Sequence, residues 1–268
     1  MNATETLRPL DALPPDAWRR VVGVATDLDD TLTRHGNLTS ASLAALEALA
    51  AHDVPCVIAT GRPVGWAEVL AGMLPVRAVV AENGGAWAVR EGRGVRVAFL
   101  DAPTMREQGM NQARAVANAL RARFPMLHPV VEHTLRATDV TLDVGERVRV
   151  PRDVVEAALA YVRDAGMYAV ASTVHLHVSY RAPDKTQGLR AALADTGLDA
   201  DALTDRWIYL GDSPNDAGPF AAMALSVGVR GVDALPMAAL PRYVAQAGAG
   251  EALTEVVARL LQHRSVGA

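Results

Sequence analysis

Three apolar segments of strand length, each stopping abruptly on oxygen-bearing side chains, constrain this chain more than anything else in it. They are Val21-Val-Gly-Val-Ala-Thr-Asp27-Leu-Asp29-Asp30-Thr31, Val54-Pro-Cys56-Val-Ile-Ala-Thr60-Gly61-Arg62-Pro63 and Arg206-Trp-Ile-Tyr-Leu-Gly211-Asp212-Ser-Pro-Asn215-Asp216. An apolar run without alternation suits a strand covered on both faces, as in a parallel sheet flanked by helices. Ligand crevices in such sheets form beyond the carboxyl ends of the strands, so Asp27, Asp29, Thr60, Asp212 and Asp216 are predicted to converge. Carboxylates spaced i, i+2, such as Asp27 and Asp29, raise one another's pKa unless a cation or proton lies between them. Hard oxygen ligands of this kind suit Mg²⁺, which takes few protein ligands and shares phosphate oxygens readily. The plainer reading of Asp-rich strand ends is that they start loops and cap helices.

A census separates the two readings. Lys and Arg number 26 together, and Lys185 is the sole lysine. Where arginine has replaced lysine almost everywhere, the survivor belongs where a planar fork cannot stand in for a compact point charge. Pro183-Asp184-Lys185-Thr186-Gln187-Gly188 opens an amphipathic helix. A cation is poorly placed at the positive end of a helix dipole unless an anion lies nearby. Thr60 and the backbone N–H groups around Gly61 have the chemistry to cradle a phosphoryl group.

The order of elements predicts an α/β fold. Strand 21–27, helix 40–51, strand 55–60, helix 63–74 and strand 77–81 follow the doubly wound βαβαβ pattern. The pattern changes at Gly84-Gly85, where residues 86–100 read as a β-hairpin around Glu91-Gly92-Arg93-Gly94. Helix 104–123, strands near 129–133 and 137–144, helix 152–165 and strands near 167–172 and 174–181 follow. Core-type elements resume with helix 184–195, strand 207–211, a helix near 216–224, strand 225–229 and helix 250–262. The expected domains are therefore a core at 20–85 and 183–268, an inserted α+β cap at 86–182, and an arm at 1–19. Pro9, Pro14 and Pro15 make that arm either poorly ordered or a short docking segment.

Composition narrows the partners. A net charge of −4 with no basic tract argues against nucleic acid. The lone Cys56 excludes an internal disulfide, fits a reducing compartment, and lies in an apolar strand as inert core. Met1 to Arg20 lacks a signal-peptide pattern and no apolar run is long enough to span a bilayer, so the expectation is a cytoplasmic protein, monomeric or homodimeric, acting on a small molecule without a membrane.

Taken together, Asp27-Leu-Asp29-Asp30-Thr31, Thr60, Lys185 and Gly211-Asp212-Ser213-Pro214-Asn215-Asp216 resemble the four motifs of the haloacid dehalogenase superfamily of phosphohydrolases. The long gap before Lys185 is similar to subfamily IIB, with its large α/β cap. Glu82-Asn83-Gly84-Gly85 and Tyr243 to Glu251 look closest to the mannosyl-3-phosphoglycerate and sucrose-phosphate phosphatase branch. Two departures stand out: Asp30 occupies a position where many relatives have glycine, and Ser213-Pro214 and Gly218-Pro219-Phe220 replace the usual acidic and methionine-containing surroundings of the fourth motif.

That resemblance implies a Rossmann-like core and Mg²⁺-dependent hydrolysis of a small phosphorylated sugar or sugar acid. Asp27 would be the nucleophile and Asp29 the general acid and base. Mg²⁺ would be held by Asp27, the Asp29 carbonyl, Asp212 and Asp216. Thr60, Gly61, Lys185 and Asn215 would bind the phosphoryl group. Thr31 is expected to bond the loop rather than the substrate, and Arg62 to contact phosphate or form a salt bridge. In Thr173 to Arg181 the alternation places His175, His177, Ser179 and Arg181 on one strand face, a candidate for substrate recognition or simply a solvated sheet face. Glu132, His133 and Arg136 are weaker candidates, and Trp66 and Trp87 divide between core and rim. The alternatives are a phosphohexomutase of the same superfamily and a phospho-acceptor signalling module without turnover.

Overall fold

The computed structural model describes residues 7–172, 174–234 and 236–265. Met1 to Thr6 of the arm, and Thr173, lie outside them. In chain order the elements before the cap are β1 (Arg8–Pro9), α1 (Pro15–Arg20), β2 (Gly23–Thr26), β3 (Thr33–Arg34), β4 (Asn37–Leu38), α2 (Ser40–Ala51), β5 (Cys56–Ala59), α3 (Val64–Met73), β6 (Ala78–Ala81), β7 (Ala86–Glu91) and β8 (Gly94–Phe99). The cap contributes α4 (Pro103–Arg123), β9 (His128–Pro129), β10 (Asp139–Asp143), α5 (Arg152–Asp164), β11 (Tyr168–Ala171) and β12 (His175–Ser179). The core then resumes with α6 (Lys185–Asp195), β13 (Trp207–Gly211), α7 (Ala217–Ala222), β14 (Leu225–Gly228), β15 (Tyr243–Val244) and α8 (Ala252–Ser265).

Among the described residues a nine-stranded sheet runs in the order β1-β15-β14-β13-β2-β5-β6-β7-β8. From β1 to β6 the neighbours are parallel, with β2 between β13 and β5. Alternate residues of these strands feed opposite apolar layers. Val24, Ile58, Val79 and Leu210 pack with Leu46, Leu49, Ala67 and Val256 on one face. Ala25, Val57, Val80 and Tyr209 pack with Leu189, Leu193 and Phe220 on the other. Burial on both faces explains why these strands read as unbroken apolar runs.

Residues 86–99, expected to open the cap, instead extend the core sheet. β7 pairs antiparallel with β6, Val80 opposite Trp87, and β8 follows it. The edge of β6 offers unpaired backbone groups and an apolar flank, and the hairpin satisfies both. Trp87 is core, its indole Nε1 donating to Asp195 at 2.7 Å.

The cap is a four-stranded antiparallel sheet, β11-β12-β10-β9, with α4 and α5 on one face. Leu142, Leu176 and Val178 pack there against Ala113, Leu120, Ala158 and Val162. The expected strand at 129–133 shrinks to two residues because Pro129 has no N–H for a ladder, and 131–135 forms a 3₁₀ turn.

From Leu7 onward the N-terminal segment docks rather than drifts. β1 adds to the sheet edge beside β15, and Leu10 and Trp18 are buried against α8, with Trp18 stacked on His263. Each such side chain contributes about 1.5–3 kcal/mol of burial.

Candidate active site

The carboxyl ends of β2, β5 and β13 lie side by side, and the predicted residues gather there. Asp27 follows β2, its amide donating to the Leu210 carbonyl of the neighbouring strand. Lys185 is the first residue of α6, whose N-cap Asp184 accepts from the amides of Thr186 and Gln187 at 2.9 and 3.2 Å. That cap turns the helix start into the crevice. Lys185 Nζ then donates to Asp27 Oδ1 and to Asp216 Oδ1, both at 2.6 Å. Its side chain is fully buried, so the lone lysine stands as a point charge between two carboxylates.

Asp216 is the hub of the site. Its Oδ1 also accepts from the Tyr209 hydroxyl at 2.5 Å, while Oδ2 accepts from the amides of Asp212 and Ser213 at 3.0 and 3.1 Å. A Cβ on Gly211 would come within 2.6 Å of that carboxyl, so only glycine fits beneath it. Asp212 is less committed, accepting one bond from Thr31 Oγ1 at 3.0 Å. Thr31 thus ties the first strand end to the third. Asn215 does not reach Lys185; its Oδ1 accepts from Ser213 Oγ at 2.6 Å.

Carboxylate oxygens of Asp27, Asp212 and Asp216 lie within 4.8 Å of one another. Burial, then the neighbouring Asp216, pushes Asp212 up to about 7. Burial and the acids Asp216, Asp212 and Asp29 likewise hold Asp27 well above the usual carboxylate range, against the pull of Lys185. For Lys185 burial opposes the charge, yet Asp216 and Asp27 outweigh it and the ammonium is held above its ordinary value. Two buried carboxylates, Asp27 and Asp216, and the half-buried Asp212 face one ammonium and form a hard, over-charged oxygen set, which fits a divalent cation. The carboxylate of Asp29 is not part of that set. Arg62 Nε reaches its Oδ1 and Oδ2 at 3.1 and 3.0 Å, and Arg62 Nη2 reaches Oδ1 at 2.7 Å. Of the two roles open to Arg62, this is the salt bridge.

Thr60 is buried at the end of β5, and its Oγ1 accepts the Arg62 amide at 3.1 Å. The next turn is unusual: Glu82 and Asn83 both have positive φ, 50° and 52°, and Gly84 follows at 106°. A Cβ on Gly84 would collide with the Asp184 carbonyl, so the glycine lets this turn pass against the start of α6. Asn83 bonds Thr60 and Asp184 through its backbone, linking the second and third motifs. Asp30 also has positive φ, 54°, a conformation that favours glycine; its own carboxylate holds the His35 amide at 3.0 Å.

The cap reaches into the core at the turn after β9. Glu82 Oε1 accepts from the amides of Val64 and Ala137 at 2.9 and 3.0 Å, and Oε2 from the amide and hydroxyl of Thr138, each at 2.6 Å. Arg136 donates to the Gly61 carbonyl at 3.2 Å, and Glu132 lies 3.6 Å from Arg62. Glu82, unremarked in the sequence beyond its motif, thus ties the core to the turn at 137–138.

The predicted recognition face is mostly occupied with itself. His177 Nδ1 lies 2.9 Å from both Asp139 Oδ2 and Thr141 Oγ1, and Arg136 donates to Asp139 Oδ1 at 2.7 Å. Burial lowers the His177 pKa despite Asp139, whereas Arg136 and His177 overcome burial to hold Asp139 below the usual carboxylate range. His175 reaches Glu146 at 3.1 Å, Ser179 Oγ accepts the Arg181 amide, and Arg181 pairs with Asp101 and Gln187. His133 Nδ1 lies 3.0 Å from the Val130 carbonyl. Burial pushes the Cys56 thiol up to about 12, as expected of an inert core cysteine. Among the described residues no helix is long and apolar enough to cross a membrane.

Residues 24–102 match the model of the haloacid dehalogenase-like hydrolases. A phosphoglycolate phosphatase of Halorubrum lacusprofundi is 29% identical over 215 residues, covering 78% of this chain and 85% of that one. Among solved structures, a Thermoplasma acidophilum protein superposes with a TM-score of 0.70 at 15% identity, over 90% of this chain and 98% of that one. The Synechocystis sucrose-phosphatase, solved with sucrose and phosphate, gives 0.66 at 17% identity over the same shares. The family match over residues 24–102, the sheet order and the converging motifs agree: this chain resembles the haloacid dehalogenase-like hydrolases and is an enzyme of phosphatase type.

Proposed function

We propose that this enzyme is a Mg²⁺-dependent phosphomonoesterase acting on a small phosphorylated sugar or sugar acid through an aspartyl phosphate on Asp27. The observation that carries the reading is the buried Lys185 ammonium held between Asp27 and Asp216, at 2.6 Å from each. An ammonium fixed beside a carboxylate nucleophile also stands beside the phosphoryl oxygens that the nucleophile attacks.

Asp27 attacks phosphorus in line, forming the acyl phosphate while the bond to the leaving oxygen breaks. Asp29 gives that oxygen its proton, then takes one from the water that hydrolyses the acyl phosphate, which releases phosphate and regenerates Asp27. Lys185, the Thr60 hydroxyl and the amides around Gly61 hold the phosphoryl oxygens. Asp27 and Asp212, with the Asp29 carbonyl, would hold Mg²⁺, which when bound neutralises charge on the transferring group. All the oxygens of Asp216 are already taken by Lys185, Tyr209 and two amides, so its part is to hold the lysine and the loop. The sugar or sugar-acid class is supported by the names of the relatives, which act on phosphoglycolate and sucrose phosphate.

The test is phosphate release from a panel of phosphorylated sugars and sugar acids, phosphoglycolate included, with Mg²⁺ and with EDTA, in wild type and Asp27→Asn. Metal-dependent turnover that Asp27→Asn abolishes is the expected result. Isomerisation only on addition of a sugar bisphosphate would indicate a mutase, and a long-lived phosphoprotein without turnover a signalling module.

A further inference from the structure

Arg62 occupies both oxygens of the residue assigned as general acid and base. Its Nε and Nη2 make three contacts with the Asp29 carboxylate at 2.7 to 3.1 Å, a forked arrangement that engages both oxygens although the Asp29 side chain stays 42% exposed. The rest of Arg62 is set up for movement of the side chain alone. Its backbone is pinned, the amide to Thr60 Oγ1 at 3.1 Å and the carbonyl to the Glu82 amide at 2.9 Å. The guanidinium lies 4.5 Å from the Trp66 ring centroid, a flat surface along which it can slide. On its far side stands an acid from the other domain: Glu132 Oε1 is 3.6 Å from Arg62 Nη1, close enough to attract and too far for a hydrogen bond. Glu132 sits on the turn that Glu82 and Arg136 anchor to the core.

Resting on the phosphatase reading, we propose that Arg62 is a movable clamp and Glu132 the cap residue that draws it off Asp29. In the structure the clamp is on. A small advance of the cap shortens the Glu132–Arg62 separation to a hydrogen bond, the guanidinium moves along Trp66, and Asp29 is freed to exchange a proton with substrate. Cap position and availability of the general acid are thereby one event, so water entering an open site meets an Asp29 whose charge is paired with Arg62. Arg62 and Glu132 are positioning residues.

The test is epistasis. Glu132→Gln keeps shape and removes the pull; it is expected to lower kcat about tenfold with KM unchanged. Arg62→Met removes the clamp, and in that background adding Glu132→Gln should change kcat less than about twofold. Equal effects of Glu132→Gln in both backgrounds, or no effect in wild type, would overturn the proposal. So would a large rise in KM in Arg62→Met, which would make Arg62 a substrate ligand. Wild-type hydrolysis of an aryl phosphate reports separately on the phosphatase reading. Without any such turnover the clamp is read from the Arg62 Nε–H proton. Slow exchange with solvent that Asp29→Asn accelerates supports the clamp, and fast exchange in wild type refutes it.

Discussion

Lys185 and Asp216 meet at 2.6 Å in a pocket where both side chains are fully buried. A guanidinium there would have to displace Tyr209 or Asp27, and overpacking a closed core costs about 1–3 kcal/mol. Lys185→Arg is therefore expected to lose about 10²-fold or more in kcat, comparable to removing one transition-state donor. Lys185→Met should also destabilise the fold by about 3–5 kcal/mol, since it strands two buried carboxylates. Steady-state kinetics and denaturant melts check both; near-normal kinetics in Lys185→Arg would refute the argument from the lone lysine.

On the phosphatase reading, Asp212 is expected to link cation binding to pH. In the cation-free protein burial and Asp216 push its pKa up to about 7. A divalent cation takes the ionised form, so above that value there is no proton to displace. Below it, each fall of one pH unit should weaken Mg²⁺ binding up to about tenfold with release of one proton. Calorimetric titrations with Mg²⁺ on either side of neutrality, in buffers of different ionisation enthalpy, measure both quantities. A flat affinity would place the proton elsewhere.

Glu82→Gln replaces two acceptor oxygens by one oxygen and one NH₂ group. The amide cannot accept from Thr138 and Val64 as the carboxylate does, and each buried donor left unpaired costs about 1–3 kcal/mol. The expected result is faster hydrogen exchange at Ala137 and Thr138 with the core sheet unchanged. Uniform destabilisation of the whole chain would show that Glu82 does not act at the domain junction.

Trp18 tests the N-terminal segment. Trp18→Ala opens a cavity against α8 and should cost about 3–5 kcal/mol, several degrees in Tm. At a temperature where the fold persists, kcat should change less than stability does, because Trp18 packs on α8 and is connected to the site loop 28–32 through that helix.

Asp27, Thr60, Lys185 and Asp212 were legible in the sequence because each follows an apolar strand or opens a helix, positions whose geometry is set locally. The doubly wound core was legible for the same reason: strands buried on both faces leave a continuous apolar imprint. The hairpin at 86–99 was readable as a hairpin, yet which sheet it joins depends on whether the β6 edge or the cap edge lies free, and no local pattern encodes that. Nor does any spacing reveal that Asp216 is saturated by Tyr209 and two amides, or that Arg62 faces Asp29 on one side and Glu132 on the other.

Strand composition, helix caps and the ends of apolar runs are properties of neighbours along the chain, and they determined by themselves the sheet, the helices and the residues brought to its edge. The pairing of Glu82 with a cap turn 55 residues away, and of Lys185 with Asp27 across 158 residues, exists only once the domains have packed. Partner choice among buried charges depends on distance and desolvation in three dimensions, so tertiary structure alone decided which carboxylates cluster, which two hold the lysine and which one pairs with Arg62.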